Sequence, residues 1–156
     1  MRFLALCLTL FAFTAAASPA QRDGWAVHET SYGYKEMIDR VKAAAKANKM
    51  GIVTQAGPTG AAKQRGIAIP GNRVIGVFNN KFAVRMLAES EAAMIEAPIR
   101  FYVTEQPDGT ATLSYKTPSL VFSPYADDSP EVMKIAAELD AIFAAIAADA
   151  VAPATE

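Results

Sequence analysis

The architecture can be inferred from the stretch Ile99-Arg-Phe-Tyr-Val-Thr-Glu-Gln-Pro-Asp-Gly-Thr-Ala-Thr-Leu-Ser-Tyr-Lys116, which has the pattern of two strands around a turn. Apolar and polar residues alternate on both sides of the turn, which is the period-two pattern of strands with one buried face. Pro107 presets the backbone for a turn, and Gly109 accepts a positive φ. The stretch therefore predicts an antiparallel hairpin with Phe101 on one face and Arg100 and Tyr102 on the other.

Outward from the hairpin, the chain alternates between strand patterns and helix patterns. Ser129-Pro130-Glu131 begins the last helix with a cap, a first-turn proline and an acidic residue. The predicted elements are strands at 25–30, 50–55 and 73–78, helices near 34–48, 82–94 and 130–150, and a short helix within 58–65. This β-α-β-(α)-β-α-β-β-α order predicts an α+β fold with two layers, in which a mixed or antiparallel sheet packs against helices.

The beginning of the chain has the three-part pattern of a signal peptide. Met1-Arg2 is a short basic start, an apolar run follows, and small residues lead to Ala17 and Ala20. The apolar run is shorter than the roughly 20 residues that cross a bilayer. We expect a periplasmic or secreted protein without a membrane anchor after cleavage near Ala17 or Ala20. The expected organisation is a signal peptide at 1–20, a single domain at 21–150 and a flexible tail at 151–156.

The composition of the expected mature chain argues against several classes of function. Loss of Arg2 leaves 14 of the 15 Lys and Arg residues against 16 Asp and Glu, so there is no basic excess to hold a nucleic acid. Loss of Cys7 leaves no thiolate for catalysis, redox pairing or zinc binding. The sequence also lacks phosphate-loop, dinucleotide and Gly-X-Ser-X-Gly motifs. We therefore expect no cofactor and no nucleic-acid partner.

Motifs spread over the mature chain resemble a known bacterial family. They are the first helix with Tyr34, Met37, Ile38 and Val41, Arg65-Gly-Ile-Ala-Ile-Pro-Gly-Asn-Arg-Val74, Ala97-Pro98-Ile99-Arg100, Asp108-Gly109, and Leu139-Asp140. From about Trp25 to Ala148 the chain resembles the family called domain of unknown function 302. The resemblance implies a compact two-layer α+β fold and the ability to form homodimers, and it assigns no catalytic residue. Phe78-Asn79-Asn80 stands where many relatives carry Gly-Asn-Pro, so only Asn79 matches there.

The exit of the central strand carries one candidate ligand site. Asn79, Asn80 and Lys81 lie there, with Arg85 one helical turn further on. Free N–H groups at a helix start, together with two cations, can hold a small anionic ligand. The alternative is that Asn80 simply caps the helix while Lys81 and Arg85 are solvated.

Arg100, Tyr102 and Tyr115 of the hairpin are further candidates, either as part of a ligand surface or as ordinary outward-facing strand residues. His28 is the only histidine, and its strand phase points it away from the face of Trp25 and Val27. It is a weak candidate for a metal ligand, a haem ligand or a base, and otherwise a histidine at the surface or sheet edge. The methionines suggest either copper binding or core packing.

These observations favour an exported, non-catalytic module that binds a small ligand or supports assembly in the cell envelope. One alternative is a small enzyme that uses Glu105, Lys81 or a tyrosine as general acid or base on an envelope metabolite. Another alternative is a haem or copper carrier that uses His28 and a methionine.

Overall fold

The computed structural model describes residues 22–153, which form a five-stranded sheet and its helices. The strands are β1 (Trp25–Gly33), β2 (Gly51–Ala56), β3 (Asn72–Phe78), β4 (Ile99–Glu105) and β5 (Thr110–Lys116). The helices are α1 (Tyr34–Ala47), α2 (Thr59–Gln64), α3 (Asn80–Glu89), α4 (Pro118–Phe122) and α5 (Pro130–Val151), with 3₁₀ turns at Ala92–Glu96 and Ser123–Tyr125. None of the helices between residues 22 and 153 is long and apolar enough to span a bilayer. The predicted signal peptide, up to residue 20, and residues 154–156 of the predicted tail lie outside the described residues.

The sheet is antiparallel throughout, with the strand order β1-β5-β4-β3-β2. The predicted hairpin forms β4 and β5, in which Phe101 pairs with Tyr115 and Val103 pairs with Leu113. Gly109 in its turn has a φ of +85°, the left-handed conformation that favours glycine. The α+β class and the packing of a sheet against helices are thus confirmed, and the sheet is the antiparallel alternative.

The core lies between one face of the sheet and helices α1 and α5. Alternate residues of β3, β4 and β5 contribute buried side chains, and Phe101 stacks on Phe143 of α5 with ring centroids 4.7 Å apart. Tyr115 completes this aromatic cluster, 5.0 Å from the ring centroid of Phe101 and 5.6 Å from that of Phe143. The apolar side chains at helical spacing along α5 are buried, namely Val132, Ile135, Leu139, Phe143 and Ile146, whereas Ile142 is only partly buried.

Two local details differ from the sequence-based predictions. Asn79, and not Asn80, caps α3: its extended backbone lets its Oδ1 accept the Lys81 N–H at 2.9 Å. The helix predicted to reach residue 94 ends at Glu89, because Ser90 turns extended and its Oγ accepts the Ala93 N–H at 3.0 Å. This side-chain bond replaces a helical one and begins a 3₁₀ turn.

Residues 57–71, which we call the arm, connect β2 to β3 and are mostly exposed. α2 forms within the arm but has no buried residue. The arm is fixed at its base, where the Gly71 N–H donates to Glu105 Oε2 at 2.6 Å and the Glu105 N–H donates to the Gly71 carbonyl at 2.8 Å. Glu105 therefore links the end of the arm to β4 through both its side chain and its backbone.

The first strand and the last helix meet at one corner of the fold. The Tyr32 hydroxyl donates to the Ala152 carbonyl at 2.6 Å, and Arg40 donates to the carbonyls of Ala150 and Ala152. The Arg40 guanidinium also lies 3.9 Å from the centroid of the Tyr32 ring. These contacts hold the part of the predicted tail that the structure describes beside α1 and the end of β1.

Candidate ligand-binding site

The sheet face opposite α1 and α5 carries an open groove of about 450 Å³, which lies within the usual size range of small-molecule sites. The groove is lined by residues of β1, β3, β4 and β5 and of the connections next to them: Trp25, Asn72, Val74, Glu96, Ile99, Arg100, Tyr102, Tyr115, Lys116 and Val121. We call it the sheet-face groove.

Strand alternation explains why Arg100 and Tyr102 reach this groove. Successive side chains of β4 point to opposite faces, so Phe101 enters the core while Arg100 and Tyr102 point the other way. Tyr102 pairs with Val74 on β3 and Ser114 on β5, whose side chains share its face. The structure thus places Arg100 and Tyr102 on one uncovered surface, whereas the ring of the third hairpin candidate, Tyr115, lies in the core.

One end of the groove is bordered by α4 and the start of β1. Thr117 caps α4 by accepting the Leu120 N–H at 3.2 Å, and Pro118 occupies the first turn. Leu120 then packs on Gly24, where an added Cβ would lie only 2.8 Å from the Leu120 side chain. With a φ of +73°, Gly24 also has a backbone conformation that suits glycine. This close approach sets the position of Trp25, the next residue, at the edge of the groove.

The charges of the groove are mostly positive. Arg100 is exposed and forms no ion pair or side-chain hydrogen bond with the other described residues. The ammonium group of Lys116 lies 5.8 Å from the ring centroid of Trp25. The one lining carboxylate, Glu96, accepts a hydrogen bond of 3.0 Å from the Tyr125 hydroxyl, which raises the pKa of Tyr125. The groove therefore offers cations beside aromatic rings.

Two hydroxyl groups on the same sheet face have no hydrogen-bond partner among residues 22–153. They are Thr104 Oγ1 and Ser114 Oγ, and Ser114 is fully buried between its neighbours Val27 and Tyr102. A buried hydroxyl without a partner typically costs about 1–3 kcal/mol. Neither residue lines the sheet-face groove.

The candidates at the start of α3 form a separate location. Both polar atoms of the Asn79 side chain are hydrogen-bonded. Its Oδ1 accepts the Lys81 N–H, and its Nδ2 donates to the Lys49 carbonyl, each at 2.9 Å. Arg85 forms a bidentate pair with Glu138 of α5, at 2.7 and 2.6 Å, and this pairing raises the pKa of Arg85 and lowers that of Glu138. Lys81 is exposed. The predicted residues are therefore divided between two places, and Asn79, Asn80, Lys81 and Arg85 do not line the groove.

A small cavity of about 30 Å³ lies beside the start of α3, with room for about one water molecule. Its lining is apolar apart from Asn79 and includes Met50, Met86 and Met94. His28 lies elsewhere, on β1, with its ring stacked on Tyr115 at a centroid distance of 6.3 Å and its Nε2 unpartnered. The structure thus brings methionines together but keeps His28 away from them, and residues 22–153 contain no cluster of three His, Cys, Asp or Glu side chains.

Sequence reasoning did not identify Trp25, Glu96 and Lys116 as site residues. The phase of Trp25 within β1 was predicted, but its neighbours in space depend on the pairing of β1 with β5, where Trp25 lies opposite Lys116. That pairing joins distant parts of the chain, and no local pattern encodes it. The Tyr115 position on β5 also borders the groove, but its ring packs with Phe101 and Phe143 in the core, where burial and the charge of Asp140 raise the pKa of the phenol.

Comparisons with known proteins give a family and a fold. The family model described as Domain of unknown function DUF302 matches residues 26–149. A crystal structure of an uncharacterised conserved DUF302 protein from Bacillus stearothermophilus is similar, with 21% identity and a TM-score of 0.73. The similarity covers 83% of this chain and 99% of that one. No curated protein matches this sequence.

Proposed function

We propose, from the premise that this chain belongs to the Domain of unknown function DUF302 family, that it is an exported, non-catalytic module which binds a small anionic ligand. The ligand site is the sheet-face groove. The observation that carries this proposal is the unpaired Arg100 beside Tyr102, with Trp25 and Lys116 across the same surface.

The chemistry of the groove defines the kind of ligand. A guanidinium without an internal carboxylate partner is suited to bind a carboxylate or phosphate through two parallel hydrogen bonds. Trp25 and Tyr102 provide flat apolar surfaces for the body of the ligand. A small carboxylate attached to an aromatic or other apolar group therefore matches both parts of the site.

A binding role fits the groove better than acid–base catalysis. Glu105 holds the arm through Gly71, and Lys81 is exposed at the start of α3, so neither proposed acid or base lines the groove. The Tyr115 ring packs against Phe101 and Phe143 in the core, and burial raises the pKa of its phenol, which disfavours the phenolate that a general base would need. Within the groove, Glu96 is already bound to Tyr125.

Export belongs to the proposal because of the predicted leader, which lies outside the described residues. The mature chain would also contain no cysteine, so it needs no oxidative folding step after transport. Mass spectrometry of the protein recovered from its own cell envelope should show loss of residues 1–17 or 1–20. Recovery of the uncleaved chain from the cytosol would refute export.

The lone tryptophan makes the binding test direct, because Trp25 borders the groove and the sequence has one Trp. Titration with benzoate, phenylacetate, citrate and inorganic phosphate, followed by Trp25 fluorescence and calorimetry, should give saturable binding for at least one aromatic carboxylate. Arg100→Ala should weaken that binding by roughly 10–100-fold, the loss of a charge-assisted hydrogen-bond pair.

The matched control is Lys35→Ala, which removes an exposed cation from α1 on the other side of the molecule. This variant should bind as the unmodified protein does. Equal affinities for the Arg100 and Lys35 variants would place the site elsewhere. A panel without any saturable binding would refute the proposed ligand class, and chemical turnover of a bound compound would favour the enzyme alternative.

A further inference from the structure

The cations of the sheet-face groove lie together at one of its ends. Arg100 is the second residue of β4, Lys116 is the last of β5 and Trp25 is the first of β1. Because these neighbouring strands are antiparallel, the three residues form one row across the sheet. Trp25 lies opposite Lys116, and the pairing of Phe101 with Tyr115 places Arg100 on the other side of Lys116. This end of the groove is therefore suited to bind an acid group.

A carboxylate lies at the same end of the groove. Glu96 is the last residue of the 3₁₀ turn Ala92–Glu96, three positions before β4 begins at Ile99, and it lines the groove together with Arg100. Glu96 forms no ion pair with another side chain among residues 22–153. The groove thus presents charges of both signs that do not neutralise each other by direct contact.

Tyr125 holds the Glu96 side chain and leaves part of its carboxylate available. The Tyr125 hydroxyl donates to Oε1 at 3.0 Å, and Oε2 has no hydrogen-bond partner in the described part of the chain. An ionised carboxylate has room for about four hydrogen bonds. The bond to Glu96 raises the pKa of Tyr125, so its hydroxyl remains a donor. Glu96 is therefore oriented from one side and can accept a hydrogen bond from a ligand on the other.

The rest of the groove leads away from these charges along apolar and flat side chains. Val74 and Tyr102 lie opposite each other on β3 and β4, one row further from the charged end, with Asn72 in the row after that. The groove thus has charges of both signs at one end and an apolar body beyond them. An α-amino acid has the same layout, because its ammonium and carboxylate groups share one carbon atom.

We propose that the ligand of the sheet-face groove is an α-amino acid with an aromatic side chain. This inference rests on the proposed function, since it keeps the carboxylate as the group that Arg100 binds and adds an ammonium group beside it. Arg100 binds the carboxylate, Glu96 Oε2 accepts a hydrogen bond from the ammonium group, and the aromatic ring packs on Tyr102.

The charges at this end also exclude ligands that carry only one of the two groups. Arg100 and Lys116 repel an ammonium group, and the Arg22 guanidinium, 5.8 Å from the centroid of the Trp25 ring, adds a third cation nearby. An amine without a carboxylate meets this repulsion and gains only Glu96. A carboxylate without an amine leaves the charge of Glu96 facing the ligand without a donor, so it binds less tightly than the amino acid.

Three ligands of nearly the same shape test this inference. They are L-phenylalanine, phenylpropionate, which lacks the ammonium group, and phenylethylamine, which lacks the carboxylate. Trp25 fluorescence and calorimetry of the purified protein near neutral pH should show that L-phenylalanine binds at least about tenfold more tightly than phenylpropionate, the effect of one charge-assisted hydrogen bond. Phenylethylamine should bind at least about tenfold more weakly than L-phenylalanine for the same reason.

Glu96→Gln distinguishes recognition of the ammonium group from a structural role. The amide keeps the shape of the side chain and an oxygen for the Tyr125 hydroxyl, but it removes the negative charge. L-Phenylalanine should then bind about tenfold more weakly, whereas phenylpropionate should bind at least as well as before. The matched control is Glu91→Gln, which removes an exposed carboxylate directly before the same 3₁₀ turn but outside the groove. It should leave both affinities unchanged.

The possible failures of this inference and of the proposed function differ. Phenylpropionate or benzoate binding as tightly as L-phenylalanine would overturn the amino-acid ligand and leave the carboxylate site in place. Equal losses for L-phenylalanine and phenylpropionate in Glu96→Gln would also overturn it, because they would show that Glu96 only supports the shape of the groove. A protein that binds none of these carboxylates would refute the proposed function itself.

Discussion

Truncation of Phe143 should remove a large part of the stability of this fold. The Phe143 ring is completely buried, stacks on Phe101 at 4.7 Å and lies 5.6 Å from the Tyr115 ring, so it connects α5 to both strands of the hairpin. A buried aromatic side chain removes about 150–250 Å² from water, which corresponds to about 4–6 kcal/mol at about 25 cal/mol per Å².

Measured losses for Phe→Ala in protein cores are about 3–5 kcal/mol, and we expect Phe143→Ala to fall in that range. Small domains have a free energy of unfolding of about 5–15 kcal/mol, so the variant should still fold at room temperature unless the protein lies at the low end. In urea unfolding followed by circular dichroism, the midpoint should fall by about 2 M with little change in slope.

The neighbouring residue provides the control. Ile142→Ala shortens a side chain on the same helix, but Ile142 is only partly buried, so its loss should be clearly smaller. Phe143→Leu, which keeps most of the volume, should cost less than about 1.5 kcal/mol. If Phe143→Ala costs no more than Ile142→Ala, the aromatic cluster is not the centre of the core.

Two further outcomes follow from local geometry and charge. Gly71→Ala should destabilise the protein by about 1–3 kcal/mol in urea unfolding, because its Cβ would lie 2.7 Å from the Tyr34 ring, whereas Gly60→Ala meets open space and should not destabilise it. Because the hydrogen bond from Arg85 lowers the pKa of Glu138, the stability from this pair is present above the unfolded-state pKa of Glu138 and is lost as the pH falls through its folded-state pKa. A carboxyl NMR titration should show a lowered pKa for Glu138 that Arg85→Ala restores, and an unchanged value would contradict the pair.

Local patterns in the sequence were sufficient to predict most elements of the fold. The hairpin follows from alternation around Gln106-Pro107-Asp108-Gly109, and α5 follows from a cap at Ser129 and apolar spacing, all within short windows. The boundary errors arose where one side chain decides between two close alternatives. Asn79 rather than Asn80 takes the cap, and Ser90 ends α3 through its own hydrogen bond.

The candidate site was only partly predictable, because its composition depends on contacts between distant segments. Arg100 and Tyr102 were identified from the phase of one strand, but Trp25 and Lys116 join them through the pairing of β1 with β5. The same limit applies to Arg85, whose partner Glu138 lies 53 residues away on another helix. The sequence indicated a cation at Arg85, and only the tertiary structure shows that Glu138 binds it.

β1 contacts residues that come late in the chain, and these contacts limit when β1 can join the fold during synthesis. Thr30 binds the carbonyl of a residue 81 positions later, and Tyr32 binds one 120 positions later. The first strand therefore has no sheet partner until most of the chain has left the ribosome, and closure of long loops slows folding. A nascent chain that ends before β5 can pair β2, β3 and β4, but it cannot yet add β1 to the sheet.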